Sequence, residues 1–197
     1  MKLASSEILR IRLGLSNEVY YVEPSTCVSL SVRFNTPRLI SDGMRREQNM
    51  FKRILVALDG SEHANHALNV ALDLAEKYSA TILILTVLHP VYTLFGIEST
   101  FTSPSTLDEV LKAQQTYLEN VLSDALQKAK ESRPGVDVST KIVEGRPAET
   151  IIETAQEENV DLIVMGSRGL GGIRQLLLGS VSNDVADKAP CPVLIVR

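Results

Sequence analysis

Tryptophan is absent from the 197-residue chain, and cysteine occurs only at Cys27 and Cys191. Because these two cysteines lie far apart and lack C-x-x-C spacing, neither a disulfide framework nor a cysteine-based metal site is expected, and a reducing compartment fits this usage. No apolar run approaches the roughly 20 residues that span a bilayer. Glu7, Arg10 and Arg12 interrupt the N-terminal stretch, so it lacks the apolar centre of a signal peptide. We therefore expect a cytoplasmic protein that has no membrane partner.

Basic charge is also scarce. Twenty Lys and Arg residues against 24 Asp and Glu residues give a formal net charge of −4, so the chain as a whole has no basic field and nucleic acid is not an expected partner. Aromatic residues make up 5% of the chain. Aliphatic residues recur in blocks instead, as in helices packed over a sheet.

Residues 1–49 differ in character from the rest. They contain strand-like patterns near Val19–Val22 and over residues 28–34, but no motif that carries chemistry. Met50 stands directly before the apolar segment that opens the remaining sequence. We interpret residues 1–49 as a loosely structured extension or the product of an upstream start codon, with a small docked hairpin as the alternative. Residues 50–197 are the predicted domain.

From residue 51 onward, strand patterns alternate with helix patterns. Strands are predicted at 53–58, 81–88, 136–143, 161–165 and 192–196. Helices are predicted after Ser61, over 106–132, from Pro147 and over 180–188. Residues 89–105 are a looser segment that could form a flap. Apolar strands between amphipathic helices indicate an α/β fold with a five-stranded parallel doubly wound sheet. The third strand alternates polar and apolar residues like an edge strand, which favours the order 3-2-1-4-5. Ligands bind such sheets at the carboxyl ends of strands one and four.

The most informative segment runs from Gly166 to Ser180 and reads G-x2-G-x9-G-S. It begins where the fourth strand ends and finishes where the last helix begins. Glycines let the main chain approach an anion closely, and the first N–H groups of a helix favour negative charge, to which serine hydroxyls can add donors. The alternative is that Gly166 and Gly179 only serve a turn and a helix start. P-loop and dinucleotide-binding motifs are absent, so the segment predicts a phosphate-binding loop of another kind.

Four segments together resemble the universal stress protein family. They are this glycine loop, the opening sequence at 54–61 (ILVALDGS), the segment at 144–148 (EGRPA) and the ending at 190–194 (PCPVL). The resemblance covers residues 51–197. It implies an adenine-nucleotide α-hydrolase-like fold and, because the glycine motif is present, the branch of the family that binds ATP.

The resemblance also implies the site. The backbone of Ala57 and Val87 would meet adenine, although Ala57 stands where the family often has proline. Asp59 would hold a ribose hydroxyl or a metal, Mg²⁺ or Mn²⁺, carried by the phosphates; its alternative role is to cap the turn into the first helix. The loop would wrap the ribose and phosphates, through Gly166, Ser167, Arg168, Gly169, Leu170, Gly171, Gly172, Gly179, Ser180, Val181 and Ser182.

Structural roles are the better interpretation for the other candidate residues. His63 and His66 could share a helix face, but no third metal ligand has suitable spacing, and Cys191 is expected to be a buried thiol. Arg168 and Arg174 could pair with phosphates or face water. No catalytic base is evident besides Asp59, so no catalytic residue is assigned.

The function implied by the resemblance is a nucleotide-dependent stress-response switch, at most a slow ATPase. A nucleotide-free dimeric scaffold of the same family and a nucleotidyl-transfer enzyme on a related fold are the alternatives. A homodimer is expected through the apolar fifth strand, by pairing of Val193, Leu194, Ile195 and Val196 with their copies.

Overall fold

The computed structural model describes residues 9–12, 19–22, 51–89, 104–170 and 178–197. Within these ranges it has strands β1 (Leu9–Arg12), β2 (Val19–Val22), β3 (Arg53–Ala57), β4 (Thr81–Leu88), β5 (Val138–Glu144), β6 (Leu162–Gly166) and β7 (Val193–Val196). The helices are α1 (Glu62–Tyr78), α2 (Pro104–Ser132), α3 (Pro147–Glu157) and α4 (Ser180–Lys188). None of these helices is both long and apolar enough to cross a membrane.

The strands form one sheet in the order β2-β1-β7-β6-β3-β4-β5. The five strands from β3 to β7 are parallel to their neighbours and reproduce the predicted order 3-2-1-4-5, with β5 at an edge as its alternating sequence indicates. The predicted helices and strands of this part are confirmed, and their observed ends differ from the predicted ones by at most two residues. The fold class inferred from the sequence is therefore correct.

Helices cover both faces of the sheet around the central strand β3. Ile54 and Val56 belong to the core cluster beneath α1 and α2, whereas Leu55 belongs to the cluster beneath α3 and α4, and all three are fully buried. The buried stripe of α1 is rich in alanine, which lets this helix lie close to the sheet.

Gly166, at the end of β6, marks the closest approach of α1. A Cβ atom on Gly166 would lie 2.8 Å from the backbone N of Ala64 and 2.8 Å from the backbone carbonyl carbon of His63. Because these are backbone atoms of a packed helix, they cannot yield to a side chain. Glycine at this position thus brings the first turn of α1 against the carboxyl end of β6.

The N-terminal extension contributes two strands to the sheet. β2 lies at the predicted Val19–Val22, and β1, which the sequence analysis did not predict, pairs antiparallel with both β2 and β7. In the register of the second pair, Arg10 lies opposite Ile195 and Ile11 opposite Leu194. The edge of β7 that the sequence analysis treats as open is therefore occupied by β1, in the hairpin arrangement left as an alternative. The strand pattern at 28–34 and most of the suggested flap lie outside the described residues.

Candidate functional site

A cavity of about 640 Å³ opens at the carboxyl ends of β3, β4 and β6. β3 and β6 are neighbours in the sheet, and the chain leaves them in opposite directions, so the cavity lies at the topological switch point where doubly wound sheets bind ligands. The cavity thus lies where the sequence analysis expects a ligand to bind. Asp59 is the one carboxylate among the described residues that line it.

The glycine loop is closed at its base by main-chain hydrogen bonds. Gly179 N donates to Ser167 O at 2.8 Å, and Ser167 N donates to Val196 O at 2.7 Å. The buried hydroxyl of Ser182 donates to Ser167 O at 3.0 Å and to Gly179 O at 2.9 Å. The single hydroxyl proton of Ser182 is thus used inside the loop, which leaves its N–H as the group that can face a ligand.

Helix α4 begins at this closed base without a side-chain cap. Gly179 is its N-cap residue, in an extended conformation, and the first turn carries no acidic side chain. Asn183 N makes the first bond of the helix, to Gly179 O at 3.0 Å. No acceptor among the described residues pairs with the N–H groups of Ser180, Val181 or Ser182, all of which line the cavity. The start of α4 therefore presents free donors and a positive partial charge to the cavity.

Asp59 connects the β3–α1 turn to the glycine loop. Its Oδ1 accepts a hydrogen bond from Ser61 N and its Oδ2 accepts one from Leu170 N, both at 3.0 Å. A Cβ atom on Gly169 would clash with Oδ2 of Asp59, so a side chain at this position would displace the carboxylate. The first of these bonds is the turn cap that the sequence analysis gives as one role of Asp59. The second bond could not be predicted locally, because it joins residues 111 positions apart.

Two further contacts hold the same junction. The Ser61 hydroxyl donates to Arg168 O at 3.3 Å, and the Tyr117 hydroxyl of α2 donates to Asp59 O at 3.3 Å. Gly60 lies beneath Tyr117 with a φ of +86°, a conformation that favours glycine. Tyr117 is 43% exposed and contributes to the junction through its hydroxyl.

Most of the predicted site residues line the cavity. Those that do are Ala57, Asp59, Val87, Gly166, Arg168, Gly169, Leu170, Gly179, Ser180, Val181 and Ser182. Ser167 is buried and closes the loop instead of facing the cavity. Gly171, Gly172 and Arg174 lie outside the described residues.

The sequence analysis missed the side of the cavity formed by β4 and α2. Thr86, His89, Gln114 and Leu118 line it there. The signal available in the sequence was that Gln114 lies one turn before Leu118 on the inward face of α2, and that Thr86 is a polar residue within an otherwise apolar strand.

The remaining candidates have structural surroundings. No group of three or more potential metal-ligating side chains occurs in the described part of the chain, around His63 and His66 included. Cys191, expected to be buried, is half-buried; this partial burial raises the pKa of its thiol to about 11, and the charge of Asp161 adds to the effect. Cys191 is therefore protonated and unreactive at neutral pH.

The sheet order and the cavity define a doubly wound α/β protein with a ligand-type cavity at its switch point. The model of the universal stress protein family matches residues 50–197, and the chain belongs to that family. A universal stress protein of Thermus aquaticus is 43% identical over 148 residues, which are 75% of this chain and all of the relative (100%). The universal stress protein YxiE of Bacillus subtilis is 39% identical over 158 residues, a match that covers 75% of this chain and 100% of YxiE.

Solved structures agree with this family and with the adenine-nucleotide α-hydrolase-like fold. The universal stress protein UspA from Lactobacillus plantarum superimposes with a TM-score of 0.64 at 27% identity, over 74% of this chain and 97% of that one. A universal stress protein crystallised in complex with cAMP superimposes with a TM-score of 0.54 at 28% identity, over 75% and 97% of the two chains.

Proposed function

We propose that this protein binds ATP in the cavity, with the phosphates at the start of α4. The observation that carries the proposal is the uncapped N-terminus of this helix: Ser180, Val181 and Ser182 line the cavity, and their N–H groups have no acceptor among the described residues. A helix start of this kind binds phosphate through backbone donors and the helix dipole together. Arg168, which also lines the cavity, adds a cation to the same side.

Adenine then lies at the opposite end of the cavity, against the backbone of Ala57 and Val87. Ala57 is the last residue of β3 and Val87 the penultimate residue of the neighbouring strand β4, and β3 separates β4 from β6. Two strand spacings amount to about 10 Å, which leaves room for a ribose between the base and the phosphates. The relative whose structure was solved with cAMP holds an adenine nucleotide, and its likeness to this chain supports the same class of ligand here.

Asp59 lies where a ribose hydroxyl or a phosphate-bound metal would be. Each of its carboxylate oxygens accepts one N–H group and retains a second lone pair, so the carboxylate can still accept a hydroxyl or ligate Mg²⁺ or Mn²⁺. With one carboxylate on the cavity wall among the described residues, such a metal would be held chiefly by the phosphates, whose charge it neutralises.

We further propose that ATP acts as a signal in a cytoplasmic stress-response switch, with hydrolysis slow at most. Efficient hydrolysis needs a group that orients the attacking water. Asp59, the one carboxylate among the described residues of the cavity wall, accepts backbone hydrogen bonds on both oxygens and so has a structural role there. Bound ATP would instead contact the junction between the β3–α1 turn and the glycine loop, which Asp59 holds together at the cavity wall.

The test replaces Gly179 with valine. A first side-chain carbon would lie 3.4 Å from Ser167 O, an ordinary contact that the fold tolerates, whereas the branches of valine obstruct close approach of a phosphate. We expect ATP affinity, measured by titration calorimetry, to fall by about tenfold or more while the far-ultraviolet dichroism is unchanged. Gly135→Val is the matched control, because a Cβ atom there meets nothing within 4 Å.

Unchanged affinity in Gly179→Val would refute the phosphate site at α4. Mass spectrometry of the intact, undigested protein supplies an independent readout, since a bound nucleotide should remain with the purified protein. If the protein neither retains nor binds ATP, a nucleotide-free scaffold of the same family becomes the better function.

We also propose a homodimer through β7. Val193, Leu194, Ile195 and Val196 are all buried and apolar, and an apolar strand with an unpaired edge favours pairing with another chain. In the structure of this chain β1 lies on that edge. Pairing with β1 and pairing with a second copy therefore exclude each other, and the dimer requires β1 to leave β7.

A further inference from the structure

Two polar atoms at the β4–α2 end of the cavity have no hydrogen-bond partner among the described residues. They are Oγ1 of Thr86 and Oε1 of Gln114, and both are shielded from solvent. Thr86 is only 1% exposed, yet it lines the cavity together with Gln114. An unpaired buried polar atom costs free energy. When such an atom belongs to a residue of a cavity wall, it indicates a hydrogen-bonding position that a ligand would fill.

The orientation of the Gln114 amide is fixed by its other end. Nε2 of Gln114 donates to the backbone O of His89 at 3.1 Å. Only the amide nitrogen can face a carbonyl oxygen, because the amide oxygen has no proton to donate. The unpaired atom of Gln114 is thus an acceptor on a residue of the cavity wall, whereas the hydroxyl of Thr86 can either donate or accept.

Both atoms lie at the end of the cavity where the proposed ligand has its base. Thr86 stands between Leu85 and Val87 on β4, and His89, which holds Gln114, directly follows this strand. The phosphate end at α4 is bonded to Ser167, which follows β6, and β3 separates β6 from β4. The other lining residues at the base end include the apolar side chains of Leu118 and Ile151, so hydrogen bonding there depends on few groups.

We propose that Gln114 makes the site selective for adenine over guanine and that Thr86 supplies a second, less selective hydrogen bond to the base. Adenine carries an amino group at its 6-position, which donates to an acceptor such as Oε1 of Gln114. Guanine carries a carbonyl oxygen there, and two acceptors facing each other would leave both unpaired. This inference rests on the proposed binding of ATP and names the groups that select its base.

The experiment compares the affinities of ATP, GTP and inosine triphosphate for the full chain. Inosine triphosphate has the 6-carbonyl of guanine without its 2-amino group, so it isolates the 6-position. We expect ATP to bind at least about tenfold more tightly than either competitor, as for other polar groups left unpaired in a buried site. In Gln114→Met this preference should largely disappear, while Gln115→Met, which changes an exposed neighbour that pairs with Glu119, should retain it.

Three results would separate this inference from the function on which it rests. If the parent binds ATP and inosine triphosphate equally, or if Gln114→Met keeps the preference, the selectivity assignment is wrong while ATP binding stands. If the parent binds no triphosphate, both proposals fail. If Gly179→Val weakens all three nucleotides alike while Gln114→Met changes only their ratio, both proposals are supported.

Thr86→Val tests the second group without changing the size of the side chain. Because the hydroxyl is unpaired in the free protein, its removal should leave the thermal midpoint of the free protein unchanged or raised. Affinity for ATP and inosine triphosphate should fall together, by about threefold to tenfold. A lower thermal midpoint with unchanged affinities would show that Thr86 is structural and would overturn its assigned role.

Discussion

Helices α1 and α4 begin at the same edge of the sheet, after the neighbouring strands β3 and β6, yet their first turns differ. Ser61 caps α1: its hydroxyl oxygen accepts from Ala64 N at 3.2 Å, and Glu62 adds a negative charge to the first turn. Gly179 starts α4 with no side-chain cap and no acidic residue in the first turn. Of the two positive helix ends at the cavity, one is satisfied within the protein and the other is left for a ligand.

This difference shows how one position in the fold can serve either stability or binding. At α1 the cap, the Asp59 turn and the bond from Ser61 to Arg168 O form a fixed support for the beginning of the glycine loop. At α4 the loop itself is closed through Ser167 and Ser182, so the helix start is held in place without using its N–H groups. The proposed phosphate site thus combines rigidity with unpaired donors.

The largest effect is expected from capping α4 with the protein's own carboxylate, in Gly179→Asp. The extended conformation of Gly179 suits an aspartate cap, which should stabilise the fold by about 0.5 kcal/mol in chemical denaturation. The same carboxylate would occupy the donors and repel phosphate, so ATP affinity should fall by about a hundredfold in calorimetry. If the start of α4 is left uncapped for a ligand, this one substitution should both raise the stability and lower the ATP affinity.

Gly179→Asn separates the two causes. Asparagine caps a helix about as well as aspartate but carries no charge, so its ATP affinity should lie between those of the parent and Gly179→Asp. If both variants are more stable than the parent and bind ATP as tightly, the start of α4 does not bind the phosphates.

Only part of the structure around the two helix starts could be predicted from the sequence. Hydrophobic periodicity predicted β3, β6, α1 and α4, and the alternation of β5 predicted the order of the sheet, because burial on one or both faces determines these patterns. β1 was missed because it has only four residues and carries two arginines. A strand this short forms through pairing with its neighbours, and such pairing cannot be predicted from a local sequence pattern.

The site was predictable where its residues are adjacent in sequence and unpredictable where they meet across the fold. The glycine loop and the helix start form one continuous segment, and most of its described residues line the cavity. The bond from Leu170 N to Asp59, the hydroxyl of Tyr117 on Asp59 O, and the amide of Gln114 on His89 O each join distant elements. The Ser182 hydroxyl was assigned to phosphate because the closure of the loop on Ser167 could not be seen from composition.

A smaller effect is expected at the capped helix, in Ser61→Ala. Loss of the cap should lower the free energy of unfolding by about 1 kcal/mol, measured in urea. ATP affinity should fall by less than about threefold, because the variant removes one neutral hydrogen bond to the glycine loop, worth on the order of 0.5 kcal/mol. A loss of affinity as large as that of Gly179→Asp would contradict the division between a supporting and a binding helix start.

The smallest effect on nucleotide binding is expected from removal of residues 1–49. A chain that begins at Met50 retains both helix starts, so it should fold and bind ATP as tightly as the full chain in calorimetry. Loss of β1 leaves the β7 edge unpaired, and sedimentation should then show a dimer.

Ile195→Pro in the shortened chain removes an N–H group from β7 and should give a monomer, and Val196→Lys is the milder variant where proline disturbs the domain. A full chain that is more monomeric than the shortened one would support competition between β1 and a second copy for the same edge. A shortened chain that is soluble but monomeric at tens of micromolar would refute the β7 interface, because nothing else then covers that edge. Insolubility or loss of ATP binding would show instead that β1 and β2 are integral to the domain and that its sheet needs all seven strands.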